Sequence, residues 1–224
     1  MTGLILGIDD AGRGPVIGPM VLAGCLIFEG SHKELKKLGV KDSKELTQKR
    51  REFLSEKIKE IAETFEIVLS HPTEIDDKLN NNTNLNALEA HKIAEIINKI
   101  NKGYSKIKVI IDCPSVTIEK WTDYLKTHIE NLSTLEIVCE HKADKNHVSV
   151  AAASILAKCV REVEMGKLKE KYGEEIGSGY CSDPATMKFL EKYADKHKDD
   201  GIFRKTWITW KKAFENLGQR KLFN

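Results

Sequence analysis

The N-terminal segment constrains this chain most, because two apolar runs flank an acidic and glycine-rich stretch. Residues 4–8 contain four aliphatic side chains and lead directly into the adjacent acids Asp9 and Asp10. Ala-Gly-Arg-Gly-Pro then covers residues 11–15, and a second apolar run covers residues 20–28. This order predicts a strand with an acidic end, a tight loop and a second strand. The two strands are expected to form an antiparallel hairpin.

The remaining sequence alternates strands with helices, which is typical of an α/β fold. The N-terminal hairpin favours a mixed sheet over a purely parallel one. The periodicity predicts further strands at residues 65–69, 108–112 and 135–139. It predicts helices at residues 33–38, 47–62, 85–100, 117–129, 148–172, 184–197 and 204–217, with another helix start at residues 71–73. The length of 224 residues suits either one large domain or one domain with a small appendage.

Acidic residues stand at three of the predicted strand or junction ends: Asp9 with Asp10, then Asp112, then Asp144. Ligands of α/β sheets bind beyond strand ends, so these carboxylates are candidates for one common site. Such a group would repel itself strongly unless cations lay among its members. Oxygen ligands alone suit Mg²⁺ or Mn²⁺, and two such ions can bracket a scissile phosphate. The alternative for each single aspartate is a turn former or helix cap.

The glycine-rich loop matches neither common nucleotide-binding pattern. It lacks the Lys-Ser/Thr pair of a P-loop, and it leads into a strand rather than a helix. Its glycines allow positive φ angles and the close approach of another molecule's backbone. A site for metal and a phosphorylated ligand is therefore the first hypothesis from the residues alone.

Composition adds a charge asymmetry to this hypothesis. The formal net charge is only +2, but from Lys188 onward ten lysines and arginines stand against five acids. An acidic site beside a basic tail suits an enzyme that holds cations and a polyanion, although solvated helix faces explain the same charges. Five scattered cysteines without a C-x-x-C pair, no apolar run of about 20 residues and no recognisable export signal favour a cytoplasmic protein that does not span membranes. A monomer is the default expectation.

At this point the sequence resembles type 2 ribonuclease H (ribonuclease HII), especially the archaeal form. The motifs that carry the resemblance follow in order over nearly the whole chain: residues 7–15 with 18–19, 41–44, 111–112, 141–144, 149 with 151–158, and 177–180. The family implies an RNase H-like fold, a five-stranded mixed sheet flanked by helices with a C-terminal helical extension. We expect a catalytic domain over residues 1–178 and a helical region over residues 179–224 packed on it.

The resemblance also implies the chemistry and the site. It implies metal-dependent endonucleolytic cleavage of RNA in RNA–DNA hybrids and at single ribonucleotides in duplex DNA. Cleavage on the 5′ side of the ribonucleotide leaves 3′-hydroxyl and 5′-phosphate ends. The matching positions make Asp9, Asp10, Asp112 and Asp144 the catalytic carboxylates and the ligands of two Mg²⁺ or Mn²⁺ ions. They place Gly12, Arg13, Gly14 and Tyr180 at the ribose, and Ser43 and Lys44 at a DNA phosphate.

One position departs from the family pattern, which usually has Glu where this chain has Asp10. The shorter side chain bears on the second metal position and on the rate. Two competing hypotheses remain open: a hybrid-binding module that does not cleave, and a DNA nuclease or resolvase with the same acidic site.

Residues 219–223, Gln-Arg-Lys-Leu-Phe, resemble the start of a sliding-clamp peptide, and a frayed tail is the alternative.

Overall fold

The computed structural model describes residues 3–214 and contains one five-stranded mixed sheet with the strand order β3-β2-β1-β4-β5. The strands are β1 (Leu4–Ala11), β2 (Met20–Phe28), β3 (Thr64–Ser70), β4 (Ile107–Asp112) and β5 (Leu135–Glu140). Strand β1 pairs antiparallel with β2 and parallel with β4, and β4 pairs parallel with β5. The predicted hairpin and mixed sheet are therefore confirmed.

Within the described residues, eight α-helices accompany the sheet, and a further segment, residues 208–214, is also helical. The helices are α1 (His32–Leu38), α2 (Gln48–Ile61), α3 (Pro72–Asn80), α4 (Leu85–Ile100), α5 (Ile118–Lys126), α6 (Ala143–Asn146), α7 (Val148–Tyr172) and α8 (Pro184–His197). Thr47 and Asp183 cap α2 and α8 by accepting hydrogen bonds from the N–H groups of Arg50 and Ala185.

The chain divides into two compact units. The first comprises Met1–Ala11, Val21–Val68 and Leu85–Val160, and the second comprises Gly12–Met20, Leu69–Asn84 and Arg161–Asn224. The division predicted at residue 178 stays a prediction. In the described part of the chain, no helix is long and apolar enough to cross a bilayer.

Within the first unit, helices cover both faces of the sheet. Gly7 approaches α7 so closely that a Cβ there would lie 2.2 Å from the carbonyl carbon of Ser149. A Cβ on Gly24 would lie 2.4 Å from Ile96 of α4. Gly7 pairs with Cys25 and Gly24 pairs with Ile8, so the two glycines face opposite sides of the sheet. Helix α7 therefore lies on the face shared by Gly7 and Asp9, and α4 lies on the other.

Two predicted elements differ from the structure. Asp144 was expected in a polar junction but lies in the first turn of the short helix α6. The last helix was expected from residue 204 but begins at residue 208. Phe203 forms an isolated antiparallel bridge with Ile17, and the Arg204 amide donates to the carbonyl of Val16. These long-range bonds hold the backbone extended where periodicity alone favoured a helix.

Candidate active site

Three of the four predicted carboxylates come together through the sheet register and a helix cap. Ile8 of β1 pairs with Ile111 of β4, so Asp9 and Asp112 follow side by side at the carboxyl ends of two parallel strands. Asp112 Oδ1 accepts a hydrogen bond of 3.2 Å from the N–H of Ala143, at the start of α6. Because Asp144 is the next residue, this bond brings its carboxylate to the same strand end.

The backbone before α6 supports this arrangement with an uncommon conformation. Lys142 has a φ of 60°, in the left-handed region that non-glycine residues rarely adopt. The Lys142 and Ala143 N–H groups both bond the Asp112 carboxylate. These bonds offset part of the strain, which is of the kind that clusters at functional sites.

Burial and mutual repulsion make it unfavourable to ionise the acids of this cluster. Burial, the charge of Asp10 and the charge of Asp112 raise the pKa of Asp9 well above its ordinary value. Burial raises the pKa of Asp112 as well, and the charge of Asp144 adds to that effect. Asp9 and Asp144 are buried, with 7% and 5% of their surfaces exposed, while Asp10 and Asp112 are half-buried. Each of the four acids therefore takes part in at least one repulsive interaction with another.

The donor set fits hard divalent cations, because carboxylate oxygens are the ligands that Mg²⁺ and Mn²⁺ prefer. Over residues 3–214, no group of three or more His, Cys, Asp and Glu side chains is arranged to hold a metal ion as it stands. The fit of a divalent cation therefore rests on the oxygen ligands that the carboxylates offer. It also rests on their burial and mutual repulsion, which raise the pKa values of Asp9 and Asp112.

A hydroxyl and lysine network lies behind Asp9, and sequence reasoning missed its role. Ser154 of α7 hydrogen-bonds the Asp9 carboxylate, and its hydroxyl lies 2.9 Å from the buried hydroxyl of Ser43. Lys158, one turn further along α7, donates to that same Ser43 hydroxyl. The sequence indicates Ser154 and Lys158 only as part of a motif of the resemblance, although their i, i+4 spacing places both on one face of a helix.

Ser43 and Lys44 occupy different environments. The Ser43 hydroxyl is fully buried and bonded within the first unit. Lys44 is exposed, and its N–H donates to Asp42 Oδ1 at 3.0 Å. Burial raises the pKa of Asp112, and the positive charge of Lys44 partly opposes that effect. Lys44 is therefore the member of this pair with a side chain available to an anion near the carboxylates.

The second unit brings Gly12 and Tyr180 together through Arg161 of α7. The Arg161 guanidinium lies 5.0 Å from the centre of the Tyr180 ring and donates to the Ser178 carbonyl at 3.1 Å. The Arg161 side chain also lies against Gly12, where a Cβ would come within 2.2 Å of Nε. Tyr180 keeps 40% of its surface exposed, so one part of the residue remains accessible.

The two outer glycines of the loop differ in what the fold requires of them. Gly12 has a φ of 81° and no room for a side chain. At Gly14 a Cβ would meet nothing within 4 Å, and φ is not positive. Gly14 is exposed, while Arg13 between them is half-buried. The fold thus demands glycine at position 12 and places no such demand on position 14.

Comparison with known proteins agrees with the fold. A family model described as Ribonuclease HII matches residues 6–210. A ribonuclease HII from Methanococcus maripaludis is 42% identical over 221 residues, which cover 98% of this chain and 91% of that relative.

Two solved structures are similar over most of their length. The ribonuclease H2 of Pyrococcus horikoshii superposes with a TM-score of 0.86 at 38% identity, covering 96% of this chain and 99% of that one. The ribonuclease HII in a PCNA complex from Archaeoglobus fulgidus gives a TM-score of 0.80 at 38% identity, covering 91% and 95% of the two chains. The chain therefore belongs to the ribonuclease HII family and is an endonuclease of the ribonuclease H class.

Proposed function

We propose that this chain cleaves the RNA strand of RNA–DNA hybrids and cuts duplex DNA at single embedded ribonucleotides. Cleavage on the 5′ side of the ribonucleotide leaves 3′-hydroxyl and 5′-phosphate ends. Family membership supports ribonuclease H activity on hybrids. The observation that carries the proposal is that Asp9 and Asp112 directly follow the paired residues Ile8 and Ile111, with Asp144 brought in by the bond from Ala143.

Asp9, Asp10, Asp112 and Asp144 are the residues that would hold two Mg²⁺ or Mn²⁺ ions. Such ions, when bound, supply an activated water for attack and neutralise charge on the leaving oxygen. Asp112 orients α6 through the Ala143 N–H and so keeps Asp144 at the site. The Ser154 hydrogen bond fixes the orientation of the Asp9 carboxylate and uses only part of its capacity to accept bonds.

Gly12, Arg13, Gly14 and Tyr180 are proposed to recognise the ribonucleotide. Only the 2′-hydroxyl distinguishes RNA from DNA at a given position, so recognition requires fixed donors and acceptors. Gly14 is exposed and has no clash or positive φ that explains its lack of a side chain, which supports close approach by the substrate. The exposed part of Tyr180 offers a flat ring and a hydroxyl to the neighbouring sugar.

Ser43 and Lys44 are proposed to hold a phosphate of the DNA strand. The exposed Lys44 side chain supplies the charge, which positions the duplex without reading its sequence. The buried Ser43 contributes through its bonds to Ser154 and Lys158, which secure the turn that carries Lys44.

Binding to a sliding clamp through residues 219–223 is also proposed, although these residues lie outside the described part of the chain. The solved PCNA complex of a ribonuclease HII from Archaeoglobus fulgidus supports this partner. Deletion of residues 219–224 is expected to abolish capture by an immobilised clamp and to leave cleavage of free duplex unchanged. Unchanged capture would refute the role of the tail. Action as a monomer in the cytoplasm, in DNA replication and repair, completes the proposal.

The decisive experiment uses a duplex with one embedded ribonucleotide and a matched all-DNA duplex. With Mg²⁺ or Mn²⁺, the wild-type chain should cut only the first, directly 5′ of the ribonucleotide, while Asp112→Asn should not cut. End analysis should find a 3′-hydroxyl and a 5′-phosphate. Binding without cleavage would favour a hybrid-binding module, and preferred cleavage of all-DNA duplex or junction would favour a DNA nuclease or resolvase.

A further inference from the structure

Arg204 is the largest fully buried side chain among residues 3–214, and it lies beside the glycine loop. Its guanidinium donates to the carbonyls of Gly12 at 2.6 Å and Arg13 at 2.7 Å. It also donates twice to the carbonyl of Gly18, at 3.0 and 3.1 Å. One side chain thus holds the backbone at both ends of the loop, and all of these residues belong to the second unit.

These bonds determine where the amide groups of the loop point. A trans peptide is planar, so its C=O and N–H point in opposite directions. No cis peptide bond occurs in the described residues. Because Arg204 holds the Gly12 and Arg13 carbonyls, the N–H groups of Arg13 and Gly14 are turned away from it. These are the backbone donors of the segment proposed to contact the ribonucleotide.

Trp207 adds a third contact of the same kind. Its indole N–H donates to the Gly14 carbonyl at 3.1 Å, and its ring lies 5.0 Å from the Arg204 guanidinium carbon. The carbonyls of three consecutive loop residues are therefore all bonded to one short segment of chain. That segment is itself anchored by Asp76 of α3, which accepts bonds from the Lys205 and Thr206 N–H groups at 2.7 and 2.9 Å.

Arginine suits this position for a physical reason. Its planar guanidinium presents five donors in a fixed fork, whereas lysine offers three donors from a single point. A buried cation is tolerated only where several well-aligned acceptors surround it. The four bonds to loop carbonyls meet that condition, and an ammonium group at the same place is expected to reach fewer of them.

We propose that Arg204 is a positioning residue for ribonucleotide recognition, which orients the Arg13 and Gly14 amides by holding the carbonyls behind them. Trp207 restrains the next peptide, between Gly14 and Pro15, which has no N–H of its own. The inference rests on the proposed role of the glycine loop in reading the ribose. It makes the segment before the last helix part of the recognition apparatus, although that segment need not contact the substrate.

The test compares Arg204→Lys and Trp207→Phe with wild type. Steady-state cleavage of the one-ribonucleotide duplex gives kcat and KM, and hydrogen exchange reports on the backbone N–H groups of residues 12–14 and 16–18. For Arg204→Lys we expect at least a tenfold lower kcat/KM and faster exchange at Arg13 and Gly14. Trp207→Phe keeps the aromatic packing and removes one donor, so a two- to fivefold loss is expected.

Leu190→Ala is the matched control, because Leu190 is fully buried in the core of the same unit. It should lower Tm while leaving kcat/KM and exchange of the loop amides unchanged below Tm. Wild-type rates and wild-type exchange in Arg204→Lys would overturn the proposal. Should Arg204→Lys fail to fold, Trp207→Phe decides, because it frees the peptide that follows Gly14 without changing Arg204. A loss of rate with faster exchange at Arg13 and Gly14 supports the proposal, and no change overturns it.

Failure of the proposed function has a different signature. In that case the wild-type chain would not cut the one-ribonucleotide duplex, and exchange would still report on the loop. Faster exchange at Arg13 and Gly14 in Arg204→Lys would then support orientation of the loop by Arg204. Unchanged exchange would overturn it independently of any cleavage.

Discussion

The carboxylate cluster and the glycine loop are constructed in opposite ways. The cluster is set by sheet register, since Asp9 and Asp112 follow directly on paired residues of two parallel strands. The loop is set by donors from far along the chain, because Arg204 bonds carbonyls that lie 186 to 192 positions away. A regular element thus places the acids, whereas side-chain bonds to the backbone shape the loop.

The two regions also differ in their contribution to stability. The cluster concentrates like charges, and this repulsion helps to raise the pKa values of Asp9 and Asp112. The carbonyls of Gly12, Arg13, Gly14 and Gly18 all have partners. Substitutions in the cluster should therefore remove activity while relieving repulsion, and substitutions in the loop should cost stability wherever the fold requires the residue.

The largest effect is expected for Asp112→Asn. Cleavage should fall on the order of 10³-fold or more, because the variant removes one carboxylate from the proposed metal ligands. The amide oxygen can still accept from Ala143, so the fold should persist.

The stability of Asp112→Asn should depend on pH in a defined direction. Burial and, to a smaller extent, the charge of Asp144 raise the folded-state pKa of Asp112. The cost of ionising Asp112 in the fold is therefore absent below the ordinary pKa of about 3.9 and fully present above the raised pKa. In the presence of EDTA at pH 8, the variant should therefore have a higher Tm than wild type. The difference in Tm should become smaller as the pH falls. A variant that is less stable than wild type at pH 8 would contradict this assignment of the cluster.

Two alanine substitutions distinguish the loop glycine that the fold requires from the one that substrate binding is proposed to require. Gly12→Ala should destabilise the protein by about 2 kcal/mol or more, because of its positive φ and the displaced Arg161 side chain. Gly14→Ala should change stability by less than about 0.5 kcal/mol, yet lower kcat/KM on the one-ribonucleotide duplex by roughly tenfold. Urea unfolding and steady-state kinetics measure both, and a fully active Gly14→Ala would refute close approach at this glycine.

Asp10→Glu tests how far reach matters in the cluster. The variant keeps the charge and lengthens the side chain by one methylene, so it should retain kcat or raise it by up to about tenfold. The same assay at saturating Mg²⁺ and Mn²⁺ provides the measurement. A large loss of kcat would show that the cluster is fitted to aspartate at this position.

The smallest effect concerns the turn that carries Tyr180. Asp183 caps α8 and accepts a bond of 2.7 Å from the Ser178 N–H, and these contacts lower its pKa. Asp183→Ala should cost about 1 kcal/mol. Because the folded-state pKa is lowered, the contribution is present above about pH 5 and is lost as the pH falls through that lowered pKa. Thermal unfolding at pH 7 and pH 3 checks this, since the difference between variant and wild type should be smaller at pH 3 than at pH 7.

The sequence predicted the strands, most of the helices and the acids at their ends, because hydrophobic period and turn chemistry are local. Asp112 and Asp183 show this well, since both lie where an apolar run or a helix start predicted them. Asp144 was placed in a junction because a one-turn helix such as α6 leaves almost no periodic signal. The final helix was predicted too early because the bridge from Ile17 to Phe203 has no counterpart in local sequence.

The sequence by itself therefore determined the sheet, its mixed character and the positions of candidate carboxylates, since these follow from which residues prefer burial along a strand. Only the tertiary structure decided that Arg204 and Trp207 hold the loop carbonyls, that Arg161 joins Gly12 to Tyr180, and that Ser154 and Lys158 support Asp9. The physical reason is that a buried polar side chain is defined by its partners, and those partners are distant in the chain.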